Sequence, residues 1–286
     1  YALATLPVPR GWSRDELDDW LVYTPVGARF PSQGWKIHVS ASLADAEKIL
    51  QVVWDYCLPR QIAFKIVRSA QLLLLANGKD AHRGSSGKFV TIYPADEGEF
   101  ETILIELGTA LAGFEGPYIL SDVRWGDGPL YIRYGGFAER YCLSASSDLT
   151  PAIQRPDGER VPGRRGTVFS TPDWVSVPDC VREAIAARAS VDVTELPYSI
   201  ERALHFSNGG GVYVATDTRA GQRVVLKEAR PHAGLAVDGS DAVERLENEH
   251  RMMVRLAGLG IVPRVKDRFV LGGHHFLVEE FVDAIP

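Results

Sequence analysis

In Trp35-Lys36-Ile37-His38-Val39-Ser40 polar and apolar residues alternate. A period of two predicts a β-strand with Lys36 and His38 on one face and Trp35, Ile37 and Val39 on the other. An amine and an imidazole side by side, backed by a hydrophobic face, suit acid–base chemistry on an anion. An edge strand with ordinary surface polar groups is the plainer alternative, and it is weighed against the other polar positions that interrupt apolar strands. Lys65 lies between Phe64 and Ile66 in the predicted strand Ile62–Val67, where a lysine either snorkels or has a task. Arg133 lies inside the predicted strand Leu130–Tyr134, with Arg83 and Arg124 in adjoining turns. Guanidinium forks match phosphate oxygens, and a histidine donates a proton near neutral pH. A lysine crowded by other cations gives up its proton more readily and can act as a base. A phosphate pocket with an acid and a base, and no carboxylate or cysteine nucleophile in view, fits elimination better than hydrolysis. Lys88 reads as a solvated strand lysine.

The elements that must position these groups follow from local pattern. Ser13 caps an expected helix over Arg14–Val22, with Leu17, Trp20 and Leu21 near helical spacing. Ser42 reads as the N-cap of a helix over Leu43–Cys57, with Asp45 near its positive end and Pro59 stopping it. Gln71–Ala76 reads as a strand built on Leu72–Leu75. A strand Lys88–Tyr93 ends at Pro94, and a helix from about Glu97 to Leu111 carries Phe100, Ile103, Leu104, Leu107 and Leu111 on one side. From about Ser144 to Ala187, five prolines interrupt a polar, Arg-rich stretch that reads as a linker with one short helix near Val181–Arg188.

With 286 residues there is room for two cores, and 45% hydrophobic with 24% charged content is that of an ordinary globular protein. A net charge of −6 gives no global basic field for nucleic acid or anionic membrane, so neither is an expected partner. Cys57, Cys142 and Cys180 are odd in number and lack metal-ligand spacing, which suits a reducing cytoplasm. No apolar run reaches membrane-spanning length. There is no signal peptide, and a first residue of Tyr rather than Met leads to the expectation of a fragment.

The ordered motifs Trp35–Ser40, Phe64-Lys65-Ile66, Arg83-Gly84 through Thr91-Ile92-Tyr93-Pro94, and Tyr131-Ile132-Arg133-Tyr134-Gly135 resemble the N-terminal lyase domain of class III and class IV lanthionine synthetases. That domain is similar to the phosphothreonine lyase effectors of bacterial pathogens. The resemblance covers roughly the first half of the chain. It implies an α+β fold, an antiparallel-rich sheet with flanking helices. It implies Lys65 as the base that removes the α-proton of phosphoserine or phosphothreonine, and His38 as the acid that protonates the bridging oxygen. Lys36 would neutralise the carbonyl oxygen as negative charge develops. Arg83, Arg124 and Arg133 would bind phosphate, and Tyr93 would line the site. Neither a metal nor a cofactor is implied for the elimination.

A second constellation follows in Ser207–Ala215, Val224-Val225-Leu226-Lys227 and the helical stretch Ala242–Leu256, which places Glu249 within an apolar stripe where it needs a cationic partner. Gly209, Gly210 and Gly211, Lys227 and Glu249 resemble the amino-terminal lobe of a protein kinase, in which a glycine-rich loop covers ATP phosphates and a lysine is held by a helix glutamate. The glycine pattern is a triplet rather than GxGxxG, and a small antiparallel domain that binds no nucleotide is the alternative. A hairpin through Gly272-Gly273 leads into Val278–Val282, read as the adenine-contacting strand. No HRD-like loop or DFG-like site follows before Pro286, so no kinase activity is expected of this chain.

The expected organisation is therefore a lyase domain over 1–145, a linker over 146–195 and a kinase-like lobe over 196–286. The resemblance implies a precursor peptide, leader plus phosphorylated core, as partner, with ATP and Mg²⁺ serving only the kinase step of the intact enzyme. Two alternatives stand beside it: a phosphothreonine lyase acting on host signalling proteins, and a phosphopeptide-binding module without turnover.

Overall fold

The computed structural model describes residues 1–163, 166–189 and 196–283. The chain divides into two compact units, residues 1–73 with 84–188, and residues 74–83 with 189–286.

In the first unit the strands are β1 (Trp12–Leu17), β2 (Trp20–Pro25), β3 (Gln33–Val39), β4 (Ala63–Val67), β5 (Val90–Tyr93), β6 (Val123–Trp125) and β7 (Leu130–Gly136). They form one seven-stranded sheet in the order β1-β2-β4-β5-β3-β7-β6, antiparallel at every pairing. Helices α1 (Ala46–Arg60), α2 (Ala70–Ala76) and α3 (Glu97–Ala110) alternate with these strands. The α+β class expected from the sequence is the class observed. Ile37, Val39, Phe64, Ile66, Val90, Ile92, Leu130 and Ile132 share one core with Ile49, Leu50 and Val53 of α1 and Phe100, Ile103, Leu104 and Leu107 of α3. Each such fully buried side chain is worth roughly 1.5–3 kcal/mol. Strand alternation then puts the polar residues on the sheet's other face.

Arg14–Val22 is the β1–β2 hairpin rather than a helix. Leu21 and Tyr23 alternate with half-exposed Trp20, Val22 and Thr24, and Asp18 at φ 51° supplies the left-handed turn position that such a tight hairpin needs. Gln71–Ala76 lies in α2 rather than in a strand. A short leucine run is ambiguous by period, and Ser69 decides it by accepting a hydrogen bond from the Leu72 amide at 3.2 Å. Helix α1 begins three residues later than expected, capped at Asp45, whose amide donates to Ser42 Oγ. Pro59 sits in its last turn, and Gln61 at φ 57° ends it.

Much of the expected linker is ordered. Strands β8 (Tyr141–Leu143), β9 (Leu149–Gln154) and β10 (Arg160–Pro162) make a three-stranded sheet in the order β10-β9-β8. Helix α4 (Asp179–Ala189) buries Cys180 and Val181 in the first unit's core, with Phe169, Val175 and Val177 packed against it. The prolines are compatible with this order: Pro162 ends the edge strand β10, and Pro178 precedes α4 and accepts its first amides. Residues 164–165 and 190–195 of that stretch lie outside the described residues, as do 284–286 of the expected kinase-like lobe.

In the second unit β11 (Tyr198–Ser207), β12 (Gly210–Asp217), β13 (Gln222–Ala229), β14 (Val265–Leu271) and β15 (His274–Glu280) form an antiparallel sheet in the order β11-β12-β13-β15-β14. Helix α5 (Ala242–Leu256) follows β13, its start fixed by a capping box between Asp241 and Glu244. Residues 74–83 belong to this unit: Asn208 Nδ2 donates to the carbonyls of Asn77 and Gly78, and Gly78 bridges Leu235. No helix among the described residues is long and apolar enough to cross a membrane.

Candidate active site

Register places the first unit's polar residues in rows. Thr91 of β5 faces Lys65 of β4 on one side and His38 of β3 on the other, and His38 faces Tyr131 of β7. Directly opposed residues share a face. Lys65 and His38 therefore point to the same side, their backbones about 10 Å apart with one strand between. Two residues along, Lys36 faces Arg133 on that same side, and Tyr93 follows Thr91. Thr91, Tyr131, His38 and Arg133 are buried there, while Lys36, Lys65 and Tyr93 are half-buried.

Each cation is held. Lys36 Nζ donates to the Gly136 carbonyl at 2.9 Å, and a Cβ at Gly135 would stand 3.1 Å from Lys36 Cε, so glycine at 135 leaves room for the lysine's course. Lys65 Nζ lies 4.2 Å from the centre of the Trp20 ring. Lys88 is not solvated: its amine donates to the Gly84 carbonyl at 2.9 Å and Ser121 Oγ at 3.1 Å.

His38 Nδ1 is bonded to Oδ2 of Asp122, a fully buried carboxylate that also accepts from Ser121 Oγ at 2.6 Å and has Lys88 Nζ 4.0 Å from Oδ1. Burial by itself would raise the Asp122 proton affinity; His38 and Lys88 outweigh it and hold the carboxyl well below the usual range. Burial pushes the His38 imidazole down to about 3, with Lys88 and Lys36 acting in the same sense and Asp122 opposing them. Burial thus keeps the ring neutral, with Nδ1–H directed at the carboxylate and Nε2 the unprotonated nitrogen.

This coupling has a thermodynamic sign. A histidine whose folded value lies below its ordinary 6.5 contributes stability that is complete above 6.5 and lost as pH falls toward about 3. Asp122, also depressed, adds its own loss only below its ordinary 3.8. The melting temperature of the wild-type chain is expected to drop across pH 6.5–4 more steeply than that of His38→Gln, which gains no proton there. Parallel curves by differential scanning calorimetry would contradict a neutral buried His38.

The other predicted positions fall differently. Arg124 shares the face by its pairing with Tyr131, but its guanidinium donates to the carbonyls of Asp127 and Gly128 and braces the β6–β7 turn. Tyr93 packs edge-on against Phe137 at 5.2 Å. Arg83 belongs to the second unit, where its guanidinium lies 4.7 Å from the centre of the Phe206 ring.

Sequence reasoning missed Asp122, Thr91, Tyr131, Trp20 and Arg188. Asp122 is 84 residues from His38, beyond any local pattern. Arg188, on the helix placed in the linker, donates to the Asp122 carbonyl oxygen at 3.2 Å and lies over Tyr118, whose ring meets Tyr131 edge-on.

In the second unit Lys227 of β13 pairs with Glu249 of α5 at 2.5 Å and with Glu279 of β15 at 2.8 Å. Burial disfavours its charge, but the two carboxylates prevail and hold the ammonium above its usual range. Gly210, at φ 148°, passes so close to β13 that a Cβ there would stand 2.0 Å from the Glu228 carbonyl. Gly209, Gly210, Gly211, Lys227 and Glu249 line a hollow of about 170 Å³. That is below the roughly 300 Å³ at which small-molecule sites begin.

A family model described as RamC, N-terminal domain, matches residues 1–191. The chain belongs to the RamC N-terminal-domain family. This RamC-type chain is also 56% identical, over all 286 of its residues, to a protein of Streptomyces coelicolor described as a probable SapB synthase. It covers 31% of that relative, so the chain spans about a third of the relative's length. Both findings agree with the motif resemblance to class III and IV lanthionine synthetases. Among solved structures, the phosphothreonine lyase OspF from Shigella flexneri matches with a TM-score of 0.37 and 17% identity over 47% of this chain and 74% of OspF, a likeness too loose to assign chemistry.

Proposed function

We propose that the first unit of this RamC-type chain eliminates phosphate from phosphoserine or phosphothreonine in a ribosomal precursor peptide, as one step of lanthipeptide biosynthesis. The observation that carries this reading is the shared face of Lys65 and His38 across Thr91, with His38 anchored on Asp122. Lys65, as neutral amine, takes the α-proton; that electron pair becomes the Cα–Cβ double bond, and the Cβ–O bond breaks. His38 gives a proton to the departing oxygen, and inorganic phosphate leaves a dehydroalanine or dehydrobutyrine. The phosphate's own negative charge beside the ring offsets the burial that otherwise keeps His38 neutral. Lys36 meets the negative charge building on the carbonyl oxygen, and Arg133 beside it grips phosphate.

For the second unit the proposed role is that of a kinase amino-terminal lobe. Lys227 on the third strand of its sheet and Glu249 on the following helix support it. In the longer protein Lys227 and the Gly209–Gly211 turn would contact the phosphates of ATP, which with Mg²⁺ supplies the phosphoryl group.

The test is the mass of a phosphoserine peptide after incubation with the full chain. Loss of the elements of phosphoric acid is the expected result. Intact phosphopeptide, tightly bound, would make the chain a binding module instead.

A further inference from the structure

The row that joins Lys65, Thr91, His38 and Tyr131 does not stop at β4. Val22 of β2 lies directly opposite Lys65, and Asp15 of β1 lies directly opposite Val22. Opposed residues share a face, and strand alternation adds the opposed pair Leu17 and Trp20 to it. The β1–β2 hairpin thus carries the face of Lys65 and His38 outward as a short apolar strip of Leu17, Trp20 and Val22. Leu17 is 39% exposed, and Trp20 and Val22 are half-buried. Trp12, Leu21 and Tyr23, on the hairpin's other face, are buried in the core. Large apolar groups left half-open beside a reacting amine suit a partner that is itself apolar there.

Reach and charge define that partner. Lys65 Nζ lies over the Trp20 ring, 4.2 Å from its centre. The carbon that gives up its proton must come within about 3.5 Å of this amine, and the Cα of an adjoining residue is only about 3.8 Å further along the chain. A side chain on that adjoining residue can therefore rest on the strip. Asp15 closes the row, and Asp18 and Asp19 form the turn beside Leu17 and Trp20; all three are exposed. Negative charge there turns away phosphate and acidic side chains. Lys36 and Arg133 supply the positive end, beginning on β3, two strands from β4. We propose that the Leu17–Trp20–Val22 strip seats a bulky apolar side chain on the residue next to the phosphorylated one. The assignment rests on the lyase reading of the same face and narrows its substrate class to phosphopeptides with an apolar neighbour. Such a peptide lies across the strands, its phosphate at Lys36 and Arg133 and the neighbouring side chain at Leu17 and Val22.

The experiment gives the full chain acetyl-Ala-phosphoserine-Ala-amide and its versions with Leu or Glu in place of the first or the second alanine. Leucine at one of the two positions is expected to raise kcat/KM about tenfold over alanine, through KM, and glutamate at that position to lower it. Leu17→Thr and Val22→Thr, which keep good strand formers in the hairpin, are each expected to bring the leucine-to-alanine ratio near unity. Glu16→Gln, on the hairpin's other face, is expected to leave that ratio as in wild type. A ratio of kcat/KM values does not depend on how much of the chain is folded, so a less stable variant still reports. No preference at either position in wild type would overturn the proposal, as would a preference that both threonine variants keep. Its loss in Glu16→Gln would also overturn it, since that marks a distorted hairpin rather than a lost contact. If no peptide is dehydrated, the elimination reading fails, and the strip is judged by the affinities of the same peptides in isothermal titration calorimetry. A leucine preference abolished by Leu17→Thr then supports the strip, and equal affinities refute it.

Discussion

Lys65→Ala is expected to lower the rate of elimination about 10²–10⁴-fold, the usual worth of a general base, while phosphopeptide affinity changes only a few-fold. The split follows from the site's construction. Lys65 sits across Thr91 from His38, whereas the proposed phosphate and carbonyl contacts, Arg133 and Lys36, face each other on β7 and β3. Removing the amine takes away the proton acceptor and leaves the anion's grip in place. Lys65→Arg sharpens the test, because a guanidinium keeps the charge and does not deprotonate; it is expected to be as inactive as alanine. Single-turnover mass spectrometry gives the rate, and fluorescence anisotropy of a labelled phosphopeptide gives the affinity. Full activity in either variant would remove Lys65 from the role of base.

Asp122→Asn is expected to cut kcat by about 10³–10⁴ with little change in KM, the scale seen when the aspartate that orients a catalytic histidine is made neutral. The carboxylate accepts from His38 Nδ1 and is the negative charge that an imidazolium at this buried position would face. An amide of the same shape reverses neither the burial nor the positive charges of Lys88 and Lys36, so the ring is held neutral more strongly. The limb of the pH–rate profile set by His38 is therefore expected to move to lower pH, a shift that a merely structural aspartate would not cause. Removing one partner of a buried pair also costs stability, about 3–5 kcal/mol at the upper end. The melting temperature must accordingly be measured alongside, and working below it keeps the kinetic comparison clean. An unchanged profile with full kcat would make Asp122 a structural residue only.

Period-two alternation around Trp35–Ser40 was enough to assign Lys36 and His38 to one face, and the 3.6-residue stripe of Phe100, Ile103, Leu104 and Leu107 was enough to give α3 its apolar side. Helix α5 was also legible, from the apolar stripe in which Glu249 lies between Leu246 and Met253. The failures came where local period was ambiguous or beside the point. Leu72–Leu75 fits a strand or a helix until Ser69 caps it, and the β1–β2 hairpin was hidden by apolar spacing that also suited a helix. Proline content between 144 and 187 suggested a linker, yet Pro162 stands at the end of β10 and Pro178 just before α4, where a missing amide costs little, and Pro151 lies within β9 opposite Tyr141.

By itself, the amino-acid order determined which residue types were available for chemistry and which way each strand turns its side chains, because backbone alternation is a property of a few neighbouring residues. Only the tertiary structure decided that β5 lies between β3 and β4, so that Lys65 and His38 flank Thr91, and that Asp122, 84 residues away, closes on the imidazole. It alone placed Arg83 in the second unit and Val181 in the first unit's core. Strand order and burial are settled by how the whole chain fills one interior, and the entropy of closing a loop rises so slowly with its length that distant partners compete on nearly equal terms with near ones.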